Sequence, residues 1–334
     1  MCVSILLKGT KSRKVENSEH FFGRTREGKN TTATTMVSTT GSANITEDEA
    51  QLYDRQIRLW GLDAQKRLRA SRVLVAGLRG LGCEVAKNLV LAGVKSLRVL
   101  DDAALSAEDL ESNFLCPVDK VGSNRAETAV DRLQQLNPMV EVTSDGGDVG
   151  AKPEEYFKDF DIVLVTCRPR DVLVRVNNLC HKNGVKFFAG DVHGFFGYSF
   201  MDLVEHEFVE EVKVKVADIE ADNGDGPTPA KKAKKDKEEE EEETKMVKRS
   251  LNFVSLEEAL KVDWSSGGYA KRVRRMDGAF FLLHVLYEFQ SREGRSPQMA
   301  TQEGDLKLLE SLVDSVASKV GHSLHKTFSP FPLV

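Results

Sequence analysis

A short apolar run that ends in three closely spaced glycines restricts the fold of this chain more than any other feature. Residues 72–76 read Arg-Val-Leu-Val-Ala, as in a buried strand, and Gly77, Gly80 and Gly82 follow directly. Residues 83–92 then place apolar side chains at helical spacing as far as Gly93. A glycine turn between a buried strand and a helix is typical of nucleotide-binding α/β folds, because the first N–H groups of the helix can bind phosphate.

The loop departs from the dinucleotide-binding pattern at one position. That pattern is G-x-G-x-x-G, and here its third position is Arg79. A side chain there stands where the backbone should approach phosphate, although a guanidinium can itself attract a phosphate. Asp101 follows the next predicted strand, where a ribose-binding carboxylate would stand. This degenerate loop indicates nucleotide-fold ancestry and argues against ordinary nucleotide binding, and a turn that only joins a strand to a helix is the alternative.

Apolar runs of strand length alternate with helical patterns through the first half of the chain. Strands are predicted at 72–76, 97–100, 161–165 and 185–189, and helices at about 80–92, 123–136, 171–182, 280–289 and 306–320. This alternation predicts an α/β fold with a Rossmann-like, mostly parallel sheet covered by helices. We interpret 195–204 and 208–216 as extended segments, with a hairpin between them as one interpretation. The capping-box pattern that starts at Thr46 predicts that the ordered part of the chain begins there with a helix.

Composition divides the chain into five parts. Residues 220–250 contain a lysine cluster and a run of six glutamates, too charged to bury an apolar core. The basic cluster is either a nuclear import signal or a solvated linker, and we expect a nuclear protein. The predicted parts are a disordered leader (1–44), a Rossmann-like domain (45–219), a charged low-complexity insertion (220–250), a helical continuation of the same fold (251–321) and an irregular tail (322–334).

Charge, hydropathy and cysteine spacing argue against several classes of protein. Lys and Arg number 47 against 52 Asp and Glu, so the net charge of −5 does not favour a nucleic-acid binder. No apolar run is long enough to span a bilayer, so no membrane partner is expected. The five cysteines form no C-x-x-C pair, and His181, His193 and His206 lack metal-ligand spacing. We therefore predict no metal site and no catalytic cysteine.

The segment Tyr53–Gly61, followed by the glycine loop, resembles the ThiF/MoeB-like adenylating enzymes that activate ubiquitin-like modifiers. It reads Tyr-Asp-Arg-Gln-Ile-Arg-Leu-Trp-Gly. The resemblance extends from about Thr46 to about Val320, and within the family it is to the smaller subunits of SUMO-activating heterodimers. The further matching stretches are residues 92–95, 136–140, 180–183, 190–192, 205–211 and 262–266.

The resemblance implies a pseudo-adenylation domain that cannot work alone. In this family one half binds ATP and Mg²⁺ and holds the catalytic cysteine, and a degenerate half completes the site. Here Arg79 replaces a loop glycine, Ser112 replaces an arginine and Arg168 replaces a metal-associated aspartate. A cation at the last position opposes a magnesium ion, which needs oxygen ligands. The implied arrangement has no cofactor bound by this chain alone, and ATP and Mg²⁺ bound by the partner.

The resemblance also implies a role for two arginines of the Tyr53–Gly61 segment. Arg55 is expected to reach into the partner's ATP site, and Arg58, three residues on, is a candidate assistant. The alternative is that both arginines only solvate an exposed helix. The implied partners are the larger catalytic-cysteine subunit and SUMO, whose C-terminal carboxylate is adenylated before thioester transfer.

Two other interpretations of the function stay open at the sequence level. Residues 322–334 match nothing at the corresponding end of the family, so the chain is alternatively a non-productive variant that cannot pair. A NAD-dependent oxidoreductase with a Rossmann domain is the other alternative, which Arg79 and the Tyr53–Gly61 segment disfavour.

Overall fold

The computed structural model describes residues 3–4, 45–194, 196–215, 242–262, 278–295, 297 and 303–320. The chain divides into two compact units. The first unit comprises Met1–Asp202 and Ser255–Val334, and the second comprises Leu203–Val254.

A seven-stranded sheet forms the centre of the first unit. Its order is β1-β7-β6-β5-β2-β3-β4, in which the five strands from β6 to β4 run parallel and β7 and β1 run antiparallel to their neighbours. The apolar run that precedes the glycine loop is β2, and four of its five residues are buried, as expected for a central parallel strand. The strands are β1 (Val3–Ser4), β2 (Arg72–Ala76), β3 (Ser96–Leu100), β4 (Glu141–Asp145), β5 (Ile162–Thr166), β6 (Lys186–His193) and β7 (Phe196–Asp202).

Helices cover the sheet because alternate residues of each strand point to opposite faces. Val73 and Val75 of β2 pack in one core with α4 and α5, and Leu74 and Ala76 pack in another with α7, α8 and α9. A third cluster joins α9 to α10. The helices are α1 (Glu47–Leu52), α2 (Asp54–Trp60), α3 (Leu62–Ala70), α4 (Gly80–Ala92), α5 (Arg125–Leu136), α6 (Glu154–Phe157), α7 (Arg170–Lys182), α8 (Leu256–Leu260), α9 (Gly278–Glu293) and α10 (Glu303–Val320).

The second unit is an antiparallel ribbon of β8 (Glu205–Lys215) and β9 (Glu242–Asn252). Among the described side chains of the ribbon, ion pairs link the strands between Lys248 and Glu207 at 2.8 Å and between Arg249 and Glu210 at 2.6 Å. Since all four side chains are about half exposed, these pairs contribute little stability on their own.

The α/β fold, the parallel sheet and the capping box at Thr46 are confirmed. The hairpin between the two extended segments is wrong, because β7 pairs with β6 and β8 pairs with β9. Of the insertion predicted at 220–250, residues 242–250 belong to β9. The first unit is interrupted after Asp202 and resumes at Ser255, whereas the predicted Rossmann-like domain extends to residue 219.

Two predicted segments fall largely or wholly outside the described residues. Of the leader at 1–44 only Val3 and Ser4 are described, and they form the short strand β1 beside β7, which the prediction did not include. The whole tail at 322–334 lies outside the description. No helix within the described ranges is long and apolar enough to cross a membrane.

Candidate functional site

A cleft of about 740 Å³ lies at the carboxyl edge of the sheet, where β2 and β5 are neighbours. The chain leaves these two strands towards opposite sides of the sheet, which is the place where open α/β sheets bind ligands. Gly77, Arg79, Gly80 and Asp101 line the cleft together with Arg168 from the end of β5. The structure thus brings these predicted residues into one site, and it places Gly82 directly behind them in the first turn of α4.

The glycines of the loop are required by close backbone contacts. Gly77 has a φ of +91°, and a Cβ there would lie 2.3 Å from the carbonyl oxygen of Thr166. A Cβ on Gly82 would lie 1.8 Å from the carbonyl oxygen of Gly77. Because real Cβ atoms do not approach other atoms so closely, the glycines serve the packing of the turn whether or not phosphate binds.

Asp101 is fully engaged by groups of its own chain. It is 1% exposed, and its carboxylate accepts hydrogen bonds from the N–H of Leu78 at 2.7 Å and the N–H of Ala103 at 3.0 Å. Arg125 donates to it from Nη1 at 2.9 Å and from Nη2 to Asp109 at 2.8 Å. A carboxylate held in this way stabilises the loop and is not free to bind a ribose.

Arg168 closes the opposite wall of the cleft with a second ion pair. Its guanidinium donates to Asp102 and lies 3.7 Å from Asp101. Burial alone would raise the pKa of Asp102, but the hydrogen bond and the positive charge of Arg168 bring this pKa below its usual value. The sequence marked Arg168 by its position but gave no sign of its partner. The signal that could have found it is Asp102, a second acidic residue at the end of β3.

The two arginines of the Tyr53–Gly61 segment lie on α2 and are not among the residues that line this cleft. Arg58 donates from Nε to Asp54 at 3.1 Å, one helical turn away, and its side chain is 77% exposed. Arg55 is also exposed, and within the described part of the chain its guanidinium has no hydrogen-bond or ion-pair partner. The structure therefore separates the predicted site residues into a cleft lined by ion pairs and an exposed helix.

Comparison with known proteins identifies the family. Residues 53–224 match the ThiF family, which covers the Tyr53–Gly61 segment and all of β2–β7. This chain belongs to the ThiF family. It is 51% identical over 279 residues to "SUMO-activating enzyme subunit 1" of Homo sapiens, a match that covers 84% of this chain and 79% of that protein. It is 48% identical over 292 residues to the protein of the same name from Xenopus laevis, covering 86% and 83% respectively.

The residues of this ThiF-family chain do not fit ATP with Mg²⁺. Asp101 already accepts from two N–H groups and from Arg125, and Arg168 places a cation where a metal-binding oxygen is needed. Among the described residues there is no group of three or more His, Cys, Asp or Glu that could hold a metal ion. Ser112 packs against the loop, because a Cβ added to Gly80 would lie 3.3 Å from the Cβ of Ser112.

The thiols of this ThiF-family chain are poor nucleophiles wherever they are described. Cys83, Cys116 and Cys180 are buried. Cys167 is partly buried and donates to Asp191 at 3.3 Å; burial first, and then the charge of Asp191, raise the pKa of this thiol to about 12. Because only a thiolate attacks efficiently, none of these cysteines is suited to form a thioester at neutral pH. Cys2 lies outside the described residues.

Proposed function

We propose that this chain is the smaller subunit of a heterodimeric SUMO-activating enzyme and completes the ATP site of a larger, catalytic-cysteine subunit. The observation that carries the proposal is the contrast between the two predicted sites. The acidic residues of the chain's own nucleotide cleft are paired with Arg125 and Arg168, whereas Arg55 is exposed and has no hydrogen-bond or ion-pair partner among the described residues. The choice of SUMO as the modifier rests on the names of the similar proteins, which are SUMO-activating enzyme subunit 1.

The chemistry explains why an arginine in trans is useful. A carboxylate oxygen at the C-terminus of SUMO attacks the α-phosphorus of ATP, a new P–O bond forms, and the bond to the leaving pyrophosphate breaks. Negative charge accumulates on the phosphate oxygens during this step, and a guanidinium offers fixed donors that stay charged. The partner's cysteine then takes the acyl group and AMP leaves. Arg55 donates to the phosphate oxygens, and Arg58 assists it from the same helix.

The surface around Arg55 is suited to a protein partner. Leu59 is 79% exposed on the same helix, and the exposed side chains of Leu52, Trp60 and Leu62 lie within seven residues of it in the chain. Large apolar side chains clustered with arginine are typical of the centre of protein interfaces. This surface is where we expect the larger subunit to contact the chain, so that adenylation depends on correct pairing.

Reconstitution tests the proposal. The chain is co-expressed with the larger subunit of a SUMO-activating enzyme and purified by a tag on the partner alone. The proposal predicts a one-to-one complex that forms AMP-SUMO and a thioester on the partner, with neither product when this chain is omitted. A complex that forms but is inactive, or a chain that fails to co-purify, would favour the non-productive variant. NAD-dependent thermal stabilisation of the isolated chain would favour the oxidoreductase.

We propose a nuclear location on the basis of the lysine cluster at 231–237. These residues lie outside the described part of the chain, so the support is the sequence alone. Replacement of Lys231, Lys232, Lys234 and Lys235 by alanine is expected to lower the nuclear fraction of a fluorescent fusion in cells depleted of the larger subunit. Depletion is needed because import as a complex would mask the effect. An unchanged nuclear fraction would contradict the proposal.

A further inference from the structure

The C-terminal end of α4 is capped by three amide side chains from elsewhere in the chain. The last carbonyls of a helix have no partner within the helix and must find one outside it. Asn137 donates from Nδ2 to the carbonyl oxygen of Val90 at 2.9 Å. The side chain of Gln56 on α2 donates to Leu91 at 3.2 Å, and that of Gln65 on α3 donates to Ala92 at 3.1 Å. The end of α4 is therefore the point to which α2 and α3 are fastened.

Tyr53, at the corner between α1 and α2, is part of the same arrangement. It is 2% exposed, and its hydroxyl accepts a hydrogen bond from Asn137 Nδ2 at 2.8 Å. Its ring fills the space beside Gly93, the residue that ends α4 with a φ of +82°. A Cβ on Gly93 would lie 2.4 Å from the tyrosine hydroxyl. Tyr53 thus fixes the residue immediately before α2 in the core of the first unit.

These contacts distinguish two kinds of residue in the Tyr53–Gly61 segment. Some anchor α2 to the end of α4, and others project into solvent. Tyr53 and Gln56 face the end of α4, whereas Arg55 lies exposed between them in sequence. A helix of seven residues has little stability of its own, so the place of α2 depends on its tertiary contacts. Tyr53 and Gln56 therefore fix the backbone position of Arg55.

We propose that Tyr53 and Gln56 are positioning residues for Arg55. They hold α2 on the end of α4, so that the guanidinium of Arg55 reaches the phosphate oxygens in the partner's ATP site in one defined geometry. This inference rests on the proposed function. It goes beyond that function by assigning a task in the reaction to the buried hydroxyl of Tyr53 and the side-chain amide of Gln56, which act through the placement of α2.

The test uses the purified heterodimer and ATP–pyrophosphate exchange with SUMO. Tyr53→Phe removes the hydroxyl and keeps the ring, and Gln56→Leu removes the bond to Leu91. Each is expected to lower kcat roughly 10-fold with the KM for SUMO unchanged, because small misplacement of a catalytic group is costly. In an Arg55→Ala background neither change is expected to lower the rate further, since residues that act through one group are not additive.

Tyr156→Phe is the matched control. It removes a hydroxyl that donates to Asp145 at 2.8 Å, away from α2, and is expected to leave exchange unchanged. Losses of equal size with and without Arg55 would overturn the proposal, as would wild-type kcat in both variants. If Tyr53→Phe fails to fold, Gln56→Leu decides alone, because it alters a bond near the surface. Full activity of Arg55→Ala itself would instead show that the proposed role of Arg55 is wrong, and the inference would fall with it.

Discussion

Arg168 pairs with acidic residues at the cleft where a nucleotide would be expected. Its guanidinium pairs with Asp102 and lies close to Asp101, so the two acidic side chains at the end of β3 are neutralised within the chain. Arg125 does the same from the other side, with Asp101 and Asp109. The positive side chains therefore substitute for the positive charge that a metal ion would bring.

Arg168→Asp alone is not expected to restore a nucleotide site. The change introduces a third carboxylate beside Asp101 and Asp102 and removes the cation that pairs with them. We expect a loss of about 1–3 kcal/mol in the free energy of unfolding, in the range for a partly buried charge left unpaired. Calorimetry is expected to detect no Mg²⁺-dependent ATP binding by the isolated chain, for the wild type or the variant. A micromolar ATP site in either protein would contradict this account of the cleft.

At the residue scale the sequence shows which positions depart from the family pattern, but it does not predict which residues they contact. Arg79, Ser112 and Arg168 stand out because each departs from a local pattern. The Arg168–Asp102 pair joins residues 66 positions apart, and the Tyr53–Asn137 bond joins residues 84 apart. No short pattern contains both partners of such a contact. The ion pairs of the cleft and the hydrogen bond of Tyr53 therefore required the three-dimensional structure.

At the scale of elements, α4 connects the two predicted sites. Its first turn forms the floor of the cleft, and its last turn holds the helix that carries Arg55. The glycine that ends α4 is tightly enclosed, and Gly184, which follows α7, is a useful contrast. Both have positive φ, +82° and +70°, but a Cβ on Gly184 would have no atom within 4 Å.

Gly93→Ala is expected to destabilise the chain more than Gly184→Ala. Both substitutions force an L-residue into the left-handed region, at about 1 kcal/mol each. Only the methyl group at position 93 must also displace the Tyr53 ring, so we expect about 2–4 kcal/mol there, as for other overpacked core positions. Urea unfolding of the two variants measures the difference. Equal losses would show that Tyr53 moves aside freely, which would also weaken its assignment as an anchor.

The elements that the sequence predicts well are the ones with strong apolar patterns. Strands β2 and β5 and helices α4, α5 and α7 lie within a few residues of their predicted bounds. Strand β4 was not predicted, because its sequence Glu-Val-Thr-Ser-Asp has one apolar residue and lies at the sheet edge. Strand β9 was assigned to a flexible insertion, because its charged side chains are typical of a linker. What orders it in the structure is pairing with β8, which composition does not reveal.

At the scale of the whole molecule, ion pairs make stability depend on pH. Burial alone would raise the pKa of Asp102, Asp109 and Asp161, but hydrogen bonds and paired arginines lower all three below the usual value. A folded-state pKa below the unfolded value stabilises the fold fully above the unfolded pKa, about 3.9. We therefore expect the free energy of unfolding to be nearly constant from pH 8 to 5 and to fall below about pH 4. Denaturant unfolding at pH 7, 5, 4 and 3 tests this, and constant stability down to pH 3 would contradict it.

The molecule as a whole combines a cleft whose acidic residues are paired with arginines and an arginine presented on an exposed helix. Neither feature alone distinguishes a catalytic subunit from an inert relative. Together with the ThiF family match and the similarity to SUMO-activating enzyme subunit 1, they support a chain that acts on ATP bound elsewhere. The proposed role of Arg55 is to act on phosphate in the partner's site.

ATP–pyrophosphate exchange by the purified heterodimer with SUMO tests this claim most directly. Arg55→Ala is expected to lower the exchange rate by ~10²–10³-fold, as for loss of one preorganised donor, with heterodimer assembly intact on gel filtration. Arg55→Lys is expected to recover little of that loss, because an ammonium keeps the charge without the planar fork. A wild-type exchange rate in the assembled Arg55→Ala complex would contradict the account and leave Arg55 as a solvated helix residue.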